Sequence, residues 1–137
     1  YVGRGVMHAA KRNFDPALAD FGWAIGLEPA NARFYLLRAV TLGAKGNHIL
    51  AIADLNQAIL LDPTDAYRYV LRADAKLKAG QLDSSLDDAR RALALDPALA
   101  QAYAVRARVN DARGNKAEAS DDRKAEKAAR AKRRGAE

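Results

Sequence analysis

The side chains able to carry covalent or acid–base chemistry in this 137-residue chain are few, and they do not converge. The two histidines, His8 and His48, are far apart, and neither has a second histidine four positions away, so no helical zinc-binding pair forms. Cysteine is absent, which excludes disulfides, thiol catalysis and thiolate metal ligands. Ser84, Ser85 and Ser120 are the only serines, and none sits in a Gly-x-Ser-x-Gly nucleophile turn. Gly3 and Gly5 lack the downstream pattern of a phosphate-cradling loop. His8 reads as a packing residue and His48 as an exposed turn residue. These residues imply no enzyme, no cofactor and no metal site.

The chemistry that does recur is ionic. Arg4 and Asp20, Arg38 and Asp54, Arg72 and Asp88, and Arg106 and Asp122 are each 16 residues apart. In an antiparallel helix hairpin that separation brings the two side chains near one level. The spacing therefore predicts one partly buried salt bridge per hairpin, an architectural ladder and not a catalytic set.

The elements that position this ladder follow from a period of 34. Pro29, Pro63 and Pro97 are spaced by 34, and each closes a similar phrase: Ile-Gly-Leu-Glu-Pro, Ile-Leu-Leu-Asp-Pro and Leu-Ala-Leu-Asp-Pro. Tyr1, Tyr35, Tyr69 and Tyr103 form another column, as do Gly5, Ala39, Ala73 and Ala107. Ala17, Ala51, Ser85 and Ala119 form a third, and Ala24, Ala58 and Ala92 a fourth. Apolar residues between Ala32 and Ala44 recur at helical spacing, without strand-like alternation. Gly46, Gly80 and Gly114 supply breaks that tolerate left-handed backbone angles. The first repeat has Arg12-Asn13 there, and asparagine is expected to serve. Proline ends each second helix. Helix pairs are predicted over 1–11 and 15–27, 32–45 and 48–60, 66–79 and 82–94, and 100–113 and 116–131. The small columns are expected where the two helices of a hairpin approach closely.

These columns resemble the tetratricopeptide repeat family, whose unit is a 34-residue helix–turn–helix. The resemblance covers about four repeats, approximately 1–31, 32–65, 66–99 and 100–131, followed by a basic tail over 132–137. Two departures stand out: the family's leucine column is arginine throughout, and its second aromatic column reads His8, Leu42, Lys76 and Asn110. The resemblance implies an all-α, right-handed α-α superhelix (solenoid) of stacked antiparallel helix hairpins. No single hairpin buries its apolar face, so neighbours must stack.

The resemblance also implies function. In this family the first helices of successive repeats line a concave groove that takes peptides or partner helices. Carried over, that partner-binding groove draws on Val6, Arg33, Leu36, Leu37, Val40, Tyr67, Val70, Asp74, Lys78, Gln101 and Arg108. Members that clamp a C-terminal carboxylate use lysine, asparagine and arginine here. This chain has Val2, Val6, Leu36 and Val40 among those places, so chaperone-tail binding is not expected. An apolar strip of this kind suits an amphipathic helix or an extended segment with aliphatic anchors. The expected function is a non-catalytic protein–protein interaction scaffold for a protein or peptide partner.

Charge offers an alternative. The net charge is +6, from 23 basic and 17 acidic residues, and residues 113–137 hold nine basic and five acidic groups of that total. The final helix is therefore a candidate for nucleic acid or an acidic membrane surface. It lacks interleaved aromatics, so nucleic-acid contact there would be weak and not sequence-specific. Weak self-association through the terminal repeats is a further alternative. No apolar run is long enough for a transmembrane segment. The chain begins with Tyr1 and its one methionine is Met7, so it reads as a piece of a longer protein. With 32 alanines and 15 arginines against eight lysines, it hints at a bacterial source, with a cytoplasmic or periplasmic location in that case.

Overall fold

The computed structural model describes residues 1–136, and Glu137, the last residue of the expected tail, lies outside them. Among the described residues there are eight helices and no strand: α1 (Val2–Ala10), α2 (Phe14–Leu27), α3 (Ala32–Lys45), α4 (His48–Leu61), α5 (Ala66–Lys78), α6 (Leu82–Leu95), α7 (Ala100–Ala112) and α8 (Lys116–Ala136). The fold is all-α. The first seven helices begin and end within one residue of the bounds expected from the repeat. The eighth runs through the described part of the segment read as a tail. Its alanine, lysine and arginine content explains this, since all three favour helix and no proline stops it.

The turns show why the period works. Each first helix ends with an N–H to C=O bond spanning five residues: Asn13 to His8, Asn47 to Leu42, Gln81 to Lys76 and Asn115 to Asn110, all at 2.8 Å. This closure needs one left-handed residue just before the donor. Gly46, Gly80 and Gly114 provide it, with φ of 93°, 82° and 83°. In the first repeat the left-handed residue is Arg12, φ 61°, and not Asn13, whose φ is −87°. The expectation that asparagine would serve is corrected: the closure fixes the left-handed position one residue earlier, whatever its side chain. Each of the first three second helices ends in an extended residue before proline: Glu28, Asp62 and Asp96, with φ of −135°, −147° and −143°.

The helices form two compact units, Tyr1–Pro63 and the segment from Thr64 onward. In the first, hairpins α1–α2 and α3–α4 meet through α2 and α3, and α1 also touches α3. Its core is Phe21, Phe34, Leu42, Leu55 and Ile59 among small residues such as Ala17, Ala51 and Ala58. In the second, α5–α6 and α7–α8 meet through α6 and α7, and α5 touches α7. That core is leaner, with Tyr69, Val70, Leu86, Val105 and Val109 among many alanines. Ser85 is fully buried there, and its hydroxyl donates to the Ala73 carbonyl at 2.5 Å, joining two of the small columns.

Candidate functional site

The arginine–aspartate columns meet in every hairpin. Arg4 Nε and Nη2 donate to the two oxygens of Asp20 at 3.0 and 2.7 Å. Arg38 does the same to Asp54, both at 2.8 Å, and Arg72 to Asp88 at 2.9 and 2.7 Å. In the fourth hairpin Arg106 places both bonds, 3.0 and 2.7 Å, on Asp122 Oδ1, because Asn110 Nδ2 donates to Oδ2 at 3.0 Å. All four aspartates are buried, while the arginines reach solvent to different degrees. Hydrogen bonding from Arg4 holds the Asp20 carboxyl below the usual carboxylate range and raises Arg4 in turn. The bonds to Asp54 likewise raise Arg38.

Two parts of this ladder were not read from the sequence. Each guanidinium lies over the tyrosine three residues earlier: Arg4 over Tyr1, Arg38 over Tyr35, Arg72 over Tyr69 and Arg106 over Tyr103, at 5.4 to 6.0 Å from the ring centre. The residue four positions after each arginine lies on the same helix face, which is the column reading His8, Leu42, Lys76 and Asn110. Lys76 Nζ reaches Asp88 Oδ2 at 2.9 Å, Asn110 reaches Asp122, and His8 adds to the positive field on Asp20. The family's second aromatic position has thus become a second donor for the aspartate in two repeats. The constant offset of 12 between that column and the aspartates was the available signal.

The first helices carry the residues expected to meet a partner. In the unit Tyr1–Pro63, Val6 on α1 and Val40 on α3 are 40 % and 52 % exposed, Arg33 is exposed, and Leu36 and Leu37 are half-buried. In the unit from Thr64, Tyr67 and Lys78 are exposed. Asp74 lies between two cations, accepting from Arg108 Nη1 of α7 at 2.9 Å and facing Lys78 Nζ at 3.1 Å. Gln101 is half-buried. Val70 is only 5 % exposed, so it is a core side chain and not open groove floor. Its position within α5 looked the same as an exposed one; the helices packed around it decide otherwise.

Val6, Val40, Asp74 and Arg108 occupy one column of the repeat. Where the first unit shows two exposed valines, the second shows an ion pair between neighbouring first helices. The sequence reading also passed over apolar side chains exposed on the second helices, among them Trp23 and Leu27 on α2 and Leu60 on α4. Trp23 stacks on Tyr1, with ring centres 6.0 Å apart. Among the described residues no cluster of three histidine, aspartate or glutamate side chains is placed to hold a metal, and no helix is long and apolar enough to cross a membrane.

Residues 32–65 match the family described as "Tetratricopeptide repeat". No curated protein sequence matches the chain. Among solved structures, MamA superposes with a TM-score of 0.84 at 25% identity, covering 92% of this chain and 74% of its own. MamA from Desulfovibrio magneticus RS-1 gives 0.86 at 19% identity, over 93% and 72%. The second such domain of human RPAP3, in complex with the HSP70 peptide SGPTIEEVD, gives 0.76 at 25% identity, over 79% and 90%.

Proposed function

We propose that this chain, whose residues 32–65 match the tetratricopeptide repeat family, is a non-catalytic scaffold that takes a partner peptide or helix on its first-helix faces. The observation that carries this reading is the column Val6, Val40, Asp74 and Arg108. Its charged half is self-paired, and its apolar half stands exposed beside half-buried Leu36 and Leu37. Solvent-exposed valines on adjacent helices gain by burial against aliphatic anchors, while Arg33 at the edge supplies a polar contact. Preformed helices keep the ordering cost of such binding low. The human RPAP3 domain's peptide complex supports peptide recognition by this fold. Its acidic peptide is not the partner chemistry proposed for this face, because valine and leucine stand where the resemblance places clamp cations.

The test is a comparative pull-down from source-organism lysate with the parent chain and Val6→Asp/Val40→Asp as baits. Both valines are exposed, so circular dichroism should show both baits folded. A protein kept by the parent and lost by the variant supports the face as the site and names the partner. Equal retention by both baits rejects it.

A further inference from the structure

A second surface, lined by none of the first-helix residues expected to meet a partner, stands independently of that reading. The last turns of α8 and the loop leading into α7 enclose a cleft of about 760 Å³. Its floor is Ala125, Ala128 and Ala129 of α8, facing Leu99 and Tyr103. The other repeats carry different sets of side chains at these positions. In the second repeat the same columns hold Gln57, Leu60 and Leu61, and in the first Trp23, Gly26 and Leu27. In the third they hold Arg91, Ala94 and Leu95, so the fourth hairpin alone has alanine in all three columns.

The polar groups around the cleft divide into two kinds. On the loop side two of them make internal hydrogen bonds. Asp96 Oδ1 accepts from the Ala98 N–H at 3.1 Å, and the Tyr103 hydroxyl donates to the Pro97 carbonyl at 2.8 Å. On the α8 side, Lys132 and Arg133 line the mouth, and no ion pair among the described residues engages either. Two other α8 cations are paired, Arg123 with Asp111 and Arg130 with Glu126. An apolar floor with two unengaged cations at its rim complements one kind of group, an aliphatic side chain next to carboxylates.

We propose that this cleft binds an acidic segment of a protein partner, seating an aliphatic side chain over Ala125, Ala128 and Ala129 and its carboxylates on Lys132 and Arg133. A nucleic acid fits less well. Tyr103 is the one aromatic side chain lining the cleft among the described residues, and the Arg106 guanidinium lies over its ring. Bases would find little to stack on.

The probe is a fluorescein-labelled peptide with leucines at helical spacing between glutamates, followed by anisotropy with the full chain. Its twin carries lysine in place of glutamate. The acidic peptide is expected to bind and the twin not. Lys132→Glu/Arg133→Glu, on exposed positions, should weaken binding about tenfold or more. Ala128→Leu/Ala129→Leu restores the side chains of the second repeat and should also weaken it, with circular dichroism unchanged. Four results overturn the proposal: no binding of the acidic peptide, equal binding of the twin, full binding by the leucine variant, or displacement of the peptide by an oligothymidylate at lower concentration. Sedimentation showing a dimer that the leucine variant abolishes would also overturn it, by assigning the cleft to a second copy.

Discussion

The salt bridge between Arg38 and Asp54 is the clearest test of whether the ladder holds the hairpins together. Asp54 is buried, and Arg38 keeps 31% of its side chain exposed. Its helix neighbour in the second donor column is Leu42, so no further cation from that column supports the carboxylate. Arg38→Met leaves a buried carboxylate without its two charged donors. Removing one partner of a buried pair costs about 3–5 kcal/mol, and an exposed pair is worth about 0–1. With one partner a third exposed, about 3 kcal/mol is expected for Arg38→Met. Asp54→Ala should cost less, about 2 kcal/mol, because the orphaned guanidinium can turn to water. The double variant should cost less than the sum, giving a coupling on the order of 2 kcal/mol. Urea unfolding followed by Trp23 fluorescence reports this unit directly, since Trp23 is the only tryptophan and lies in the same unit as the pair. Coincidence with circular dichroism would license two-state free energies. A coupling below about 0.5 kcal/mol, or Asp54→Ala costing more than Arg38→Met, would refute the reasoning.

Two further predictions follow from the first hairpin. Arg4 depresses the Asp20 pKa, so Asp20 stabilises the fold above its unfolded value, about 3.9, and that stability is lost as pH falls from there through the folded value. Urea midpoints measured at pH 7, 4 and 3 should fall less steeply in Arg4→Met than in the parent, and parallel acid limbs would count against it. A methyl group added at Gly5 would meet Phe21 Cε1 at 2.8 Å and Asp20 Cβ at 3.2 Å. Gly5→Ala should therefore destabilise by about 1–2 kcal/mol despite alanine's better helix propensity, and Phe21→Leu should remove that penalty. A Gly5→Ala cost that persists in the Phe21→Leu background would show that the ring is not what excludes the methyl.

The period of 34 made the helices legible because turn closure and proline termination are local, and each depends on residues within one repeat. The 16-residue spacing was legible for a related reason, since a hairpin of fixed length sets the level of its partners. The side-chain environments resist the same reading. Val70 and Val40 are both valines on first helices, yet one is buried and the other half exposed. Gly5 looked like one more small column, but its Cβ space is taken by Phe21, where the next two repeats hold Leu55 and Ala89 opposite Ala39 and Ala73. Side-chain volume is thus exchanged between columns while the backbone repeats. The same freedom lets one column carry Val6 and Val40 in one unit and Asp74 and Arg108 in the other. The ladder and the turn closures recur in every hairpin, whereas the first-helix column and the alanine floor of α8 change from repeat to repeat. Their departures from the repeat are therefore the places to look for recognition.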